Sequence, residues 1–415
     1  MKSFLQSLTV RGRLCSGHIW KNCNVLILIC VSGLLLTACG GDAMEAEMGL
    51  TEAGLTETVP DQIADAIKDE SGDEAHDTTK DVSQDIVTSN PYDFTICFAG
   101  DINLDENWCT TLFLNQQENG IHDCISEELI EHMQQADVMC LNNEFTYSTG
   151  GSPLPGKLYT FRAKPERVAV LQELGVDIVK LANNHVYDYG KQALLDTFDT
   201  LEAAGISYMG AGRNLEEAME PVYMELDGKT VAFVAASRAE KNKMTPQATE
   251  SEPGILRCYD TTLFLETIAK AREHADFVLA YVHWGTEYSY DLEEVQLTTG
   301  KEYLDAGADV VIGAHSHCLQ GMEYYEGKPI IYSLGNYWFN EKTLDTMLLD
   351  LHFYGDDEES HLEVQVIPAV QSGYRTQIVT EAEEQERIYS FLKEISVNVE
   401  IDEAGKIWEK ETVKR

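Results

Sequence analysis

Five short apolar runs in this chain each stop at a cluster of polar, metal-competent side chains. No other feature limits the fold as strongly. The runs Phe94–Ala99, Val138–Leu141, Ile178–Ala182, Phe277–Val282 and Val310–Gly313 are rich in β-branched and aromatic residues. The first leads into Gly100-Asp101-Ile102-Asn103, the second into Asn142-Asn143-Glu144, and the third into Asn183-Asn184-His185 with Asp188 beyond. The fourth ends at His283-Trp284-Gly285 and the fifth at Ala314-His315-Ser316-His317. A sixth run, Val231–Ala235, has the same apolar character, and amphipathic stretches over 125–135, 165–174, 191–204, 262–273 and 293–306 alternate with these runs. Pro165 suits a first helical turn, and Gly175, Gly205 and Gly307 stand where helices stop. Near-continuous apolar strands alternating with helices predict an α/β fold with its sheet buried under helical layers. Hairpin-rich sequence over 322–339, 347–353 and 362–367 supplies further strands.

Open α/β sheets bind ligands beyond the carboxyl ends of their strands. Taken singly, Asp101 or Asn184 reads as a turn former and any one histidine as an ordinary loop residue. Together, the four histidines His185, His283, His315 and His317, two carboxylates and an Asn at equivalent strand ends predict one shared nitrogen/oxygen cluster for one or two divalent ions, with Mn, Fe or Zn suiting that donor mixture better than Ca. His315 and His317, two apart, point the same way if that segment is extended.

The front of the chain reads as an address. Lys2, Arg11, Arg13 and Lys21 precede the apolar run 25–36, which is short for a membrane span and ends in Leu36-Thr37-Ala38-Cys39. Residues 1–38 therefore read as a lipoprotein signal peptide, with Cys39 the lipidated residue. A plain transmembrane anchor is the other reading, and both place the remainder on the extracytoplasmic face of the membrane. Residues 39–91 read as an extended, disordered linker: positions 40–90 hold fourteen Asp/Glu, two Lys and no aromatic residue.

With 30 Lys+Arg against 71 Asp+Glu, the formal net charge is 30 − 71 = −41. That charge repels nucleic acid, which is excluded as a partner. An acidic chain that handles a polyanion needs cations set apart. Arg162, near Lys157, Lys164 and Arg167, and Arg238, near Lys241 and Lys243, are the candidate substrate-binding residues, because a guanidinium fork can hold a carboxylate or phosphate. Six cysteines follow Cys39 without a C-x-x-C spacing, so no thiolate zinc motif is evident. Cys97 and Cys140 read as buried hydrophobes, and Cys109 and Cys124 flank a polar loop, placed to pair in an oxidising compartment. Trp284, Tyr288, Tyr337 and Trp338 read either as pocket wall or as core.

The segments AGDINL (99–104), NNE (142–144), LANNHVYDYG (181–190), GAGRN (210–214), HWGTEY (283–288), GAHSHCLQGMEYY (313–325) and IIYSLGNYWF (330–339) resemble the capsule-synthesis CapA family, whose members include membrane-anchored proteins of poly-γ-glutamate production. The resemblance implies a calcineurin-like metallophosphoesterase fold, a four-layer α/β/β/α sandwich, over 92–398, with 399–415 a C-terminal tail. It implies that Asp101, Glu144, Asn184, His283, His315 and His317 hold a metal pair and that His185 is the general acid. Such a pair lowers the pKa of a water and clamps a developing oxyanion. The chain departs from the phosphoesterase pattern at Asn103, where that pattern has His, and at Asn143-Glu144, which replace its Gly-Asp motif. Asn103 is accordingly a weaker metal candidate. Two functions follow from the resemblance: a metal-dependent hydrolase or transferase acting on poly-γ-glutamate or a related anionic polymer, or a non-catalytic accessory subunit beside capsule synthase and export subunits.

Overall fold

The computed structural model describes residues 90–410. The signal peptide, Cys39 and almost all of the linker read from the sequence lie outside the described residues. Among the described residues, no helix is long and apolar enough to cross a membrane.

The first sheet begins with β1 (Tyr92–Ile102), β2 (Val138–Asn143), β3 (Ile178–Lys180) and β4 (Ser207–Met209), all parallel neighbours in that order. Helices α1 (Cys109–Leu114), α2 (Glu127–Gln135), α3 (Val168–Glu173) and α4 (Gly190–Ala204) connect them. The chain then builds a second sheet from β5 (Val222–Leu226), β6 (Lys229–Ser237), β7 (Phe277–His283), β8 (Val310–Ala314), β9 (Leu319–Tyr325) and β10 (Lys328–Leu334), in the order β9-β10-β8-β7-β6-β5. Helices α5 (Thr262–Arg272) and α6 (Glu294–Asp305) precede β7 and β8. The chain finally returns to the first sheet through β11 (Asn336–Trp338), β12 (Leu344–Gly355), β13 (Ser360–Ser372) and β14 (Arg375–Ile378), then α7 (Ala382–Glu394), β15 (Val399–Ile401) and β16 (Lys406–Glu409). The main path of that sheet is β15-β16-β13-β12-β1-β2-β3-β4.

Alternation along β1 explains the layering. Phe94, Ile96 and Phe98 pack with Phe233, Tyr281 and Ile312 of the second sheet, whereas Cys97 and Ala99 face the opposite way, under Leu129 and Met133 of α2. The second sheet is covered on its outer side by Phe264 and Ile268 of α5 and Tyr303 of α6. Two sheets packed face to face, each with a helical outer layer, form the α/β/β/α sandwich of the calcineurin-like metallophosphoesterases.

The crossing between sheets is tight. Gly335 adopts φ +65°, and its carbonyl accepts the Asp101 amide at 2.8 Å. A Cβ on Gly100 would stand 2.0 Å from that oxygen, so no side chain fits there.

Two sequence expectations need correction. Residues 399–409 are not a tail: β16 pairs with β13 through Val364↔Ile407, and β15 completes the edge. The alternating apolar residues Val399, Ile401 and Ile407 are buried in the inter-sheet core, which is why this segment folds. Cys109 and Cys124 are both free. The Cys109 thiol donates to Glu341 at 3.4 Å, while Cys124 turns into the core beneath α2. A chain ended at residue 398 loses three buried apolar side chains, on the order of 5 kcal/mol, and is expected to melt well below the full-length chain in a calorimetric comparison.

Candidate metal centre

The carboxyl ends of β1, β2, β3, β7 and β8 converge where the two sheets meet. Asp101 closes β1 and Glu144 follows β2. Asn184 sits in the turn after β3, His283 ends β7, and His315 and His317 occupy the loop after β8. All six are buried. Their ligand atoms fall into two groups, Glu144–His283–His315 and Asp101–Glu144–His317, each spanning no more than 4.8 Å. Glu144 belongs to both. The Asn184 side-chain oxygen lies 2.7 Å from His283 Nε2, and Glu144 Oε1 lies 3.7 Å from the same nitrogen.

The donor set fits divalent cations on an independent observation. Glu144 Oε1 and His315 Nδ1 are sequestered from solvent without any hydrogen-bond partner, a costly state that a ligand relieves. Asn103 is placed differently. Its side-chain oxygen accepts the Asp105 amide at 2.8 Å, an Asx turn that holds the loop, and its amide nitrogen is buried without a partner.

The histidine loop corrects another expectation. His315 and His317 are not extended: they have φ +98° and +55°, with Ser316 between them anchored by its hydroxyl to the Cys318 carbonyl at 2.7 Å. Left-handed backbone at two non-glycine residues is strained and persists only where surrounding contacts enforce it. Here it turns both rings toward the same cleft, their centroids 6.2 Å apart.

A cation missed by the sequence reading sits beside this cluster. Lys180, on β3, is fully buried, with Nζ 2.8 Å from His283 Nδ1 and 4.5 Å from the centre of the Tyr281 ring. A lysine in the middle of an otherwise apolar buried strand was the available signal, since such strands carry charge only when it is paired. Asn142 was equally easy to overlook: its amide donates to Asp101 at 2.7 Å and to Glu144 at 2.9 Å, fixing both carboxylates.

The electrostatics follow from crowding in a dry place. Burial, reinforced by the Asp101 charge, pushes the Glu144 carboxyl well above its usual range. Burial also acts on Asp101, but the His317 hydrogen bond and charge hold it below the ordinary value. Desolvation lowers Lys180 to about 8 and, together with His317, lowers His315 to about 3. Burial opposes charge on His317 too, yet Glu144 and Asp101 hold it up to about 9. Protons on His317 and Lys180 thus balance the carboxylates where metal charge would otherwise do so.

His185 stands at the rim. Its Nδ1 lies 2.7 Å from Asp188, which is itself tied to Lys157 at 2.5 Å, and its Nε2 lies 4.0 Å from Glu144 Oε1. Burial lowers its pKa, so the neutral ring, donating Nδ1–H to Asp188, presents Nε2 toward the cleft. Above it opens a cavity of about 290 Å³ walled by Trp108, Tyr159, Phe161, Tyr288 and Phe339, with Lys342 3.4 Å from the centre of the Tyr288 ring. Of the four aromatic residues with two sequence readings, Tyr288 walls this mouth, and Trp284, Tyr337 and Trp338 are fully buried core. Arg162 and Arg238 are not among the residues lining it. The Arg162 guanidinium donates to the Gly150 carbonyl at 2.5 Å and stacks on Tyr189 in a neighbouring depression. Arg238 donates to the Tyr259 carbonyl at 3.2 Å, and its backbone amide donates to the His283 carbonyl.

Fold and site together define a metallophosphoesterase-like protein with a histidine–carboxylate centre shared between two sheets. Residues 95–341 match the family described as bacterial capsule synthesis protein PGA_cap. The chain belongs to that family. It is 34% identical over 191 residues to the PGA biosynthesis protein CapA of Bacillus subtilis (strain 168), covering 45% of this chain and 50% of that protein. It is 34% identical over 235 residues to the capsule biosynthesis protein CapA of Bacillus anthracis, covering 55% and 56%. The chain thus spans about half the length of these curated relatives. A crystal structure of a hypothetical protein from Thermus thermophilus superimposes with a TM-score of 0.41 at 16% identity, covering 67% of this chain and 99% of that one.

Sharing of Glu144 gives a stoichiometric prediction. Glu144→Ala is expected to remove both ions of this centre, whereas His315→Ala and His317→Ala each lose one of the two and keep the other. Elemental analysis after gel filtration counts the ions, and equal losses from all three variants would contradict the shared geometry.

Proposed function

We propose that this protein is a lipid-anchored component, on the extracytoplasmic face of the cell membrane, of the machinery that makes an anionic capsule polymer of the poly-γ-glutamate class. Within that role its centre is a metal-dependent hydrolase or transferase site acting on the polymer. The observation that carries the reading is one buried carboxylate, Glu144, common to two ligand groups directly below an aromatic mouth. Family membership and the capsule and PGA biosynthesis roles for which the two CapA relatives are named support the capsule assignment.

A pair of Mn, Fe or Zn ions, when bound, supplies Lewis acidity and an activated water. The chain's own residues do the rest. Asp101, Glu144, His283, His315 and His317, with Asn184, hold the charge in place, and Asn142 keeps both carboxylates oriented. Asp188 fixes the His185 ring so that Nε2 faces the reacting group, where it takes a proton from a water and passes it to the group that departs. Trp108, Phe161 and Phe339 exclude water from one side. Lys342 is the cation among the residues lining the mouth, set beside Glu287 and Glu341, and it offers an acidic polymer a contact that those carboxylates and the chain's net charge of −41 otherwise oppose. Arg162, in the neighbouring depression, extends that contact outward, and Arg238, held on Tyr259, is a further candidate for it.

Lys180 favours a second reading. A buried ammonium against His283 Nδ1 supplies positive charge that an ion would bring, in the position where a metal-bound histidine ordinarily donates to an acceptor. On that reading the centre is structural, and the chain is an accessory subunit that binds polymer or its synthase and export partners.

Metal-loaded protein incubated with poly-γ-glutamate and with an activated phosphodiester separates the readings. Turnover that is lost at least a hundredfold in His185→Ala supports the catalytic role, while full polymer binding without turnover assigns the accessory one. Lys342→Ala is expected to weaken polymer binding several-fold and to flatten its salt dependence, measured by titration calorimetry at two ionic strengths.

A further inference from the structure

A second cluster of metal-competent side chains lies on the helix-covered face of the first sheet, away from the centre described above. Cys97 on β1 and Asp350 on β12 are directly opposite one another in the antiparallel ladder, so their side chains project together from one face. His132 reaches down to them from α2, its Nε2 2.7 Å from Asp350 Oδ2. One ligand atom from each of the three lies within 4.8 Å of the others. Asp350 is 7% exposed, and its carboxylate is buried against the Cys97 thiol, which hydrogen-bonds to it, with no further partner for the oxygen turned away from His132.

We propose that Cys97, His132 and Asp350 form a zinc-class site that ties α2 to the β1–β12 ladder. The donor set is a sulfur, an imidazole nitrogen and a carboxylate oxygen, a mixture that selects zinc or cobalt over magnesium, calcium or manganese. Three protein ligands leave a fourth position for water. The His132 side chain is 34% exposed, which gives an ion a route in from solvent, whereas Cys97 is fully buried. In the metal-free protein the thiol stays protonated, because burial and then the Asp350 charge push it well above its ordinary range. Metal binding therefore replaces the thiol proton, which leaves to solvent, with a sulfur–metal bond. The centre described above contains no sulfur ligand, so the two sites are optically distinct.

Cobalt(II) titration of the metal-stripped full-length chain under reducing conditions tests the assignment. The expected result is a thiolate-to-cobalt charge-transfer band in the near ultraviolet whose final intensity corresponds to one thiolate-bound cobalt per chain. Cys97→Ser and His132→Gln should lose the band, and His315→Ala should keep it. Absence of the band from the wild-type chain, its survival in Cys97→Ser, or its loss in His315→Ala overturns the proposal. Should the buried Cys97→Ser substitution prevent folding, His132→Gln decides, since that residue is only half-buried. On the proposal, zinc raises the melting temperature of the wild-type chain further than that of His132→Gln, which keeps only the histidine–carboxylate centre. An equal rise in both overturns it.

Discussion

Two carboxylates, Asp101 and Glu144, are held side by side without solvent at the seam between two sheets, and the rest of the centre is arranged around that constraint. Neither sheet satisfies them alone. The first sheet contributes the carboxylates, Asn184 and Lys180, and the second contributes the three histidines at the ends of β7 and β8. Like charges this close in a low-dielectric setting require compensation. His317 and Lys180 provide it when protonated, and divalent ions would provide it at the proposed centre. Closing the sandwich and completing the electrostatic balance are one event, which would couple metal occupancy to the stability of the sheet–sheet contact.

The strand ends were legible because an apolar run that stops at Asp, Glu, Asn or His tells where the buried sheet gives way to its functional edge. Asp101, Glu144, His283 and His315 could be read in that way with no knowledge of pairing. What escaped depended on distant contacts. Lys180 looks out of place in β3 until Asp101, Glu144 and His283 surround it. Residues 399–409 look like a tail until β13 offers them an edge, and α7 was hidden because only Ile388, Tyr389 and Leu392 of its acidic sequence face the core. The left-handed backbone at His315 and His317 ran against the simple rule that residues two apart share a face only when extended. Enforced φ values override the rule, and no local sequence pattern reports them.

Charge organises the mouth as strongly as it organises the centre. In a chain this acidic, the cations near the cleft are nearly all engaged by neighbours. Lys157 bonds Asp188, Arg162 rests on Tyr189, Arg238 on Tyr259, and Lys342 over Tyr288. Cations stacked on rings are partly desolvated and oriented in advance, so they lose less freedom when an anionic group arrives. Aromatic residues around the cleft thus serve twice, as walls that exclude water and as supports for the charges beside it.

The place of β1 in its sheet governs how the chain must assemble. It lies between β2, which follows soon after it, and β12, which arrives only near the end, with Cys97 opposite Asp350. A chain emerging from its amino end therefore carries one open edge of β1 through most of its synthesis or transit. Contacts of such wide sequence separation make for slow maturation and expose a strand to wrong partners. The segment from residue 344 onward, though it supplies none of the six candidate ligands, closes that edge.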